Sequence, residues 1–176
     1  MTGKPTLYFD EMESPMGAVT IVSTEKGICK IHFGDSESAL PLLSAWSKKV
    51  FYTVELEQNA EMLFDAQSQL SDYFAGIRKE FQLPLDFQGT PFQKKVWSEL
   101  LRIEYGETRS YKDIAQAVNA PRAVRAVGNA VNRNPLPIII PCHRIIGSNG
   151  ELVGYNGGLE KKQQLLQIED ALEKIS

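Results

Sequence analysis

Apolar positions in the first third of the chain come in short β-branched and aromatic runs. In LYFDEMESPMGAVTIVSTEKGICKIHFG the runs are broken at Pro15-Met16-Gly17 and again at Glu25-Lys26-Gly27. That pattern predicts strands joined by tight turns. From Asn59 to Ile77 the period changes: Met62, Leu63, Ala66, Leu70, Tyr73 and Phe74 recur at helical spacing, and Gly76 marks the stop. A further strand is expected over Glu80 to Phe87. The first 85 or so residues therefore read as an α+β unit.

The second half opens on GTPFQKKVWSELLRI. Thr90 suits an N-cap and Pro91 the first helical position, where a missing N–H costs nothing. Phe92, Val96, Leu100 and Ile103 then mark one apolar face. After the link YGETRS, a helix is expected over Tyr111–Val118, then a break at Asn119-Ala120-Pro121 and a second helix to about Asn132. Two short helices about a tight turn, the second carrying Arg122 and Arg125, make a helix-turn-helix. The second helix is dominated by small residues, including Ala123 and Ala126, with few long side chains to reach major-groove edges. Such a helix can lie close against a shallow minor groove or against another helix. Core packing alone would equally account for its Ala and Val positions.

Composition adds limits. With 43% hydrophobic and 23% charged residues the 176-residue chain reads as soluble and globular. No apolar run approaches the roughly 20 residues that span a bilayer, and the N-terminus lacks the apolar core of a signal peptide. Cys29 and Cys142 form no CxxC pair, which points to a reducing, intracellular setting. Cys29, in an apolar strand context, reads as core. A zinc site would have to gather Cys29, Cys142, His32 and His143 from distant segments, so no metal is expected. The net charge of −3 hides a gradient. Arg109 to Arg144 holds six Lys or Arg against Asp113 alone, about +5 locally, which leaves about −8 on the remainder. A cationic patch on an acidic protein can still meet a polyanion.

The chemistry concentrates in NPLPIIIPCHRIIG, Asn134 to Gly147. Ile138, Ile139 and Ile140 read as a short buried strand, and Pro141, lacking a donor, ends its pairing. Cys142 then sits on a stiff turn. A thiol attacks as thiolate, and a nearby cation or imidazole raises the thiolate fraction. His143 and Arg144 are the nearest candidates, although adjacent side chains point apart and a water would have to bridge the histidine to the thiol. One Cys beside one His describes an inert buried cysteine equally well.

The wider pattern separates these readings. NPLPIIIPCHR, with GETRSYKDIA upstream and GYNGGLEKK downstream, closely resembles the O6-alkylguanine-DNA alkyltransferases, also called methylated-DNA–protein-cysteine methyltransferases. The likeness runs from about Gly89 to Glu169. It implies an α+β chain with a ribonuclease-H-like α/β domain over 1–87 and a mainly helical domain with the helix-turn-helix over 88–176. It implies direct DNA repair, in which an alkyl group moves irreversibly from O6 of guanine, and also from O4 of thymine, to Cys142, once per molecule. His143 would act through a water as base, with Glu169 orienting and charge-balancing its imidazole. Asn134 would buttress the turns. Arg125 would fill the gap left by the flipped nucleotide, and Arg122, Ala123 and Ala126 would line the DNA face. Tyr111 would help rotate the phosphate and donate its hydroxyl to N3 of guanine. Tyr155 and the backbone at Asn156 would wall the base pocket, Pro137 would line it, and the carbonyls of Cys142 and Ile145 would accept from the exocyclic amine. No cofactor is implied. The partner would be double-stranded DNA, held in its minor groove with little sequence specificity by a monomer in the cytoplasm, or in the nucleus of a eukaryote. Three other classes stand beside this one. A recognition module that flips bases without transfer lacks the cysteine at this position; a cysteine hydrolase usually draws its Cys and His from separate segments and has no need of a basic helix-turn-helix; and a transcription factor with one short half-site reader and no dimerisation heptads is a poor candidate.

Overall fold

The computed structural model describes residues 6–51, 54–155 and 157–171. The chain divides into two units between Gln88 and Gly89.

In the first unit, β1 (Thr6–Ser14) and β2 (Gly17–Ser23) form a hairpin in which Ser14 pairs with Gly17. Gly17 has φ 93, a left-handed conformation that glycine adopts without steric cost. β3 (Ile28–Phe33) pairs antiparallel with β2, and β4 (Glu55–Gln58) pairs parallel with β1, giving the order β3-β2-β1-β4. The turn into β3 needs Gly27: a Cβ there would lie 2.6 Å from the Pro84 carbonyl oxygen. Val19 to Ser23 are buried without alternation, so both faces of β2 are covered. One face packs Leu7, Phe9, Val22 and Cys29 against Ala39 and Leu43 of α1 (Ser36–Phe51). The other carries Asp10, which accepts a 2.8 Å hydrogen bond from Gln67 of α2 (Ala60–Phe74).

Helix α2 starts where expected, with the Asn59 side chain accepting from the Met62 amide, and Gly76 follows its end at φ 79. Three elements of this unit differ from expectation, the short strand β4 being one that was not foreseen. Glu80 to Phe87 is not a strand. Pro84 has no N–H to donate, and the segment joins the sheet at the isolated Ile28–Leu85 bridge. Helix α1 was not anticipated. It contains Pro41, and its buried residues, Ala39, Leu43 and Ser47, form a stripe too narrow to stand out.

The second unit begins with α3 (Pro91–Leu100) under a complete capping box: Thr90 accepts from the Gln93 amide, and the Gln93 side chain accepts from the Thr90 amide. Gly89, just before it, lies where a Cβ would come within 2.6 Å of the Trp97 ring. The Trp97 indole N–H donates to the Ala130 carbonyl at 2.8 Å, fastening α3 to α5 (Val124–Asn132). Between them, β5 (Arg109–Ser110) leads into α4 (Tyr111–Ala117), which carries its own capping box from Ser110 and Asp113. Thr90→Ala is expected to cost about 1 kcal/mol, read as a lowered urea midpoint with an unchanged slope.

Asn119, at φ 61, turns the chain out of α4. Arg122 lies in the link before α5, not on the helix as the spacing suggested, while Arg125 is in its first turn. The Ile138–Ile140 run is buried but is not a strand. The flanking Pro135 and Pro137 lack donors, Ile138 takes φ 78, and the Ile140 amide closes a turn onto the Leu136 carbonyl at 2.8 Å. A 3₁₀ turn over Cys142–Arg144 follows, then β6 (Ile145–Ile146), parallel to β5, and α6 (Leu159–Ile168). Glu169 caps α6 instead of lying within it. Among the described residues no helix is long and apolar enough to cross a membrane.

Candidate active site

The PCHR turn is held from both sides by Asn134. Its side-chain amide donates to the Ile140 carbonyl at 2.8 Å and its oxygen accepts from the Leu136 amide at 2.9 Å. The Cys142 amide also closes onto Ile140, at 2.7 Å. A β-branched residue in the left-handed region costs of order 1–3 kcal/mol, so Ile138 persists because these bonds and its burial hold the turn around it. The Cys142 thiol is itself buried. Burial pushes it up to about 11, against the opposing pull of the Asn134 side chain and the Lys162 charge. At neutral pH it rests as a thiol.

His143 and Glu169 are buried together, with Nε2 of the ring 2.7 Å from Oε2 of the carboxylate. Burial, together with the charges of Arg144 and Lys162, lowers the His143 pKa below the usual histidine value despite Glu169, so the ring is neutral. A neutral ring donating Nε2–H to Glu169 leaves Nδ1 as an acceptor. Nδ1 is buried and has no hydrogen-bond partner among the described residues.

Arg144 does not face the thiol. It turns to Glu169, donating Nε to Oε1 at 2.8 Å and Nη2 to Oε2 at 3.0 Å, and it donates Nη1 to the Ile103 carbonyl at 2.6 Å. The Gly106 amide adds a fourth bond to Glu169, at 3.1 Å. Burial alone would raise the Glu169 pKa, but the bonds and charges of His143 and Arg144 outweigh it and hold the carboxylate ionised far below its usual range. This bidentate pair, with every carboxylate oxygen satisfied, avoids the penalty of an unpaired buried charge.

Tyr111, first residue of α4, reaches the loop before α6, where its hydroxyl donates to the Val153 carbonyl at 3.2 Å. Tyr155 on that loop is half-buried, and burial and the neighbouring Cys142 raise both tyrosine pKa values. The carbonyls of Cys142 and Ile145 each already accept one donor, the Ile145 amide and the Lys162 ammonium respectively. A carbonyl oxygen has capacity for a second. Pro137 is buried among these turns, and Asn156 lies outside the described residues.

The structure thus gathers Cys142, His143, Glu169, Asn134, Tyr111, Ile145 and Tyr155. Arg122, Arg125 and Ala126 are instead exposed, Ala123 half-buried beside them, at the α4–α5 link and the start of α5. Arg109, Lys112 and Arg133 are exposed in the same unit, whereas Arg144 is withdrawn from the cationic surface. Two site residues escaped sequence reasoning: Arg144 as the partner of Glu169, and Lys162. Their only signal was membership of the motifs, PCHR and GYNGGLEKK, that carried the resemblance.

Residues 7–87 match the model of the 6-O-methylguanine DNA methyltransferase ribonuclease-like domain, and residues 91–171 that family's DNA-binding domain. A methylated-DNA–protein-cysteine methyltransferase of Mycobacterium leprae is 58% identical over 163 residues, covering 93% of this chain and 92% of the relative. The constitutive enzyme of that name from Bacillus subtilis is 47% identical, covering 92% and 94%. Among solved structures, the Mycobacterium tuberculosis O6-methylguanine methyltransferase superposes with a TM-score of 0.79 at 37% identity, covering 94% of this chain and 93% of that one. A structure of Mycobacterium tuberculosis OGT in complex with DNA gives 0.77 at 37%, covering 95% and 94%. With both domains matched in order, and a buried Cys142 followed by a His143 that is hydrogen-bonded to Glu169, the chain belongs to the methylated-DNA–protein-cysteine methyltransferase family.

Proposed function

We propose that the protein repairs alkylated DNA by taking the alkyl group onto Cys142, acting on O6-methylguanine and also on O4-methylthymine. The observation that carries this reading is the neutral, buried His143, bonded to Glu169 through Nε2 with Nδ1 left to accept. A water bridging Nδ1 and Sγ passes the thiol proton to the ring. The thiolate then displaces the base in line. The S–C bond forms as the C–O6 bond breaks, the electron pair moves into the purine, and a proton returned through the Tyr111 hydroxyl to N3 lets guanine leave neutral. Hydrogen bonds to the leaving base stabilise the charge that develops on it.

A base inside the duplex cannot reach a buried thiol, so the nucleotide is flipped, at a cost of a few kcal/mol that is least for a poorly paired base. Helices α4 and α5 serve as a helix-turn-helix whose small-residue helix enters the minor groove, with Arg125 filling the space in the stack. The exposed cations hold phosphates without reading sequence. The protein works as a monomer in the compartment that holds the DNA. A thioether carries no activated carbonyl, so water does not release the methyl group, and each molecule reacts once.

Intact-protein and peptide mass spectrometry after incubation with excess duplex carrying one O6-methylguanine tests the whole reading. One methyl per molecule, confined to the Cys142 peptide, is expected. Tight binding to the damaged duplex without any gain in mass would leave a recognition module in place of a transferase. Arg125→Ala should slow transfer from duplex roughly 10- to 100-fold, the scale of a lost contribution to flipping. Transfer from the free base O6-methylguanine should be unchanged, because no nucleotide has to be extruded.

A further inference from the structure

The link between α3 and β5 carries a tyrosine that the chemistry above does not use. Tyr105 is half-buried, and its hydroxyl donates to the Ile168 carbonyl, 63 positions on, at 3.1 Å. Ile168 is the last residue of α6, and the final carbonyls of a helix have no partner within it. Those of Leu165, Leu166 and Gln167 are met by the amides of Glu169, Ala171 and Asp170. That of Ile168 is met from another part of the chain, by Tyr105. The next residue of the link takes hold of the same helix end, where the Gly106 amide donates to the Glu169 carboxylate at 3.1 Å. The Tyr105 ring lies against the Arg144 guanidinium, whose carbon is 5.8 Å from the ring centre, within reach of a cation–π attraction. Arg144 is tied to this link as well, through the Ile103 carbonyl.

We propose that Tyr105 is a positioning residue for alkyl transfer that acts through Glu169: its hydroxyl fixes the end of α6, and with it the line along which the carboxylate meets His143. The inference rests on the transfer function proposed above. Glu169 stands at the C-cap of α6, so the place of its carboxylate follows the place of the helix end. Its hydrogen bond and its charge both raise the His143 pKa against burial. A helix end that drifts lengthens that bond, and a less basic ring draws the thiol proton less well. Arg144 cannot make up the loss. Its Nη2 donates to the same Oε2 at 3.0 Å, so a displaced carboxylate can stay ion-paired and still leave the ring. The charged groups around the tyrosine are Glu169, Asp170 and Arg144. Burial and the two carboxylates, against Arg144, raise its pKa, so it stays a neutral donor.

Tyr105→Phe removes the hydroxyl and keeps the ring. Single-turnover transfer from a duplex carrying one O6-methylguanine, at saturating duplex, should slow roughly 5- to 20-fold, part of the ~10²-fold that a misplacement of about 1 Å can cost. The dissociation constant for the duplex should stay within about threefold of the parent, since the start of α5 is untouched. His32 and His143 are the two histidines of the chain, and His32 lies in the first unit, so nuclear magnetic resonance of a histidine-labelled sample carries its own control. The Nε2–H signal of His143 should move upfield and exchange faster in Tyr105→Phe, with the His32 signals unmoved. In a Glu169→Gln background, Tyr105→Phe should slow transfer by less than about twofold more, because the residue through which it acts is already changed. A parental rate and an unmoved His143 signal, with only a lower melting temperature, are what a merely structural tyrosine gives and would overturn the proposal. So would the full slowing in the Glu169→Gln background. If that double variant does not fold, the rate and the histidine signal of Tyr105→Phe decide the matter. A parent protein that transfers nothing, while its His143 signal responds to Tyr105→Phe as expected, would sink the functional reading instead, which keeps the two failures apart.

Discussion

Cys142→Ser is expected to bind a methylated duplex as tightly as the parent and to take no methyl from it. The substitution changes one buried atom. The bonds that hold the turn, from the Cys142 amide and the Asn134 side-chain amide to the Ile140 carbonyl and from the Leu136 amide to the Asn134 oxygen, do not involve the side chain that is replaced. Stability and DNA affinity should therefore stay near the parental values. The chemistry should not survive. In the proposed mechanism even the native thiol, at about 11, gives up its proton through His143, and a hydroxyl is both a weaker acid and a poorer nucleophile toward carbon. Mass spectrometry and a binding isotherm on the same sample check both halves. A methylated Cys142→Ser protein would mean that another residue accepts the group, and weakened binding would mean that the thiol contributes to recognition.

Glu169→Gln should strike stability and rate together. The carboxylate accepts from His143, from two nitrogens of Arg144 and from Gly106. The amide keeps one acceptor oxygen, and Arg144 is left buried without its counter-charge. Breaking a buried pair in this way costs about 3–5 kcal/mol, a large part of the 5–15 kcal/mol that holds a domain together. For a chain of this length the melting temperature should drop by roughly 10 °C or more. Transfer should also slow, about 10²-fold, because the imidazole loses the partner that fixes its tautomer and supports its protonated form.

The pH dependence of stability carries a clear sign. Glu169 has a folded pKa below its unfolded one, so its contribution is complete above the ordinary value of 4.5 and is lost as pH falls through the folded value. His143 is also lowered, from 6.5, so the unfolded chain takes up its proton first and stability falls with acid from about that pH downward. Parental stability should therefore decline below pH 6.5 and continue to decline below 4.5. Glu169→Gln should lose the lower limb of that dependence. An unchanged slope between pH 3 and 4.5 would show that the carboxylate is not held by Arg144 as the geometry has it.

How far such features could be read beforehand depended on whether their cause was local. The N-cap at Thr90 and the stop at Gly76 are settled within a few residues, and both were legible. The Ile138–Ile140 run was not, because three buried isoleucines look alike in a strand and in a proline-bounded turn. Helix α1 hid behind Pro41. The Cys-His-Glu set came from a resemblance to known proteins. Taken on its own, Glu169 looks like any solvated helix-end carboxylate, and nothing near it in sequence says that Arg144, 25 positions away, will meet it. Lys162 stands next to the less buried Lys161, and only the fold decides which of the two goes inside.

A thiol held at about 11 exists as thiolate in roughly one molecule in ten thousand at neutral pH. Peroxide, disulfides and stray electrophiles all react with the thiolate, so to them the resting protein is nearly inert. If each molecule reacts once, as proposed above, low reactivity before the correct base arrives preserves it for that reaction. On that reading, the burial that makes Cys142 a poor nucleophile at rest also protects it from reactions other than repair.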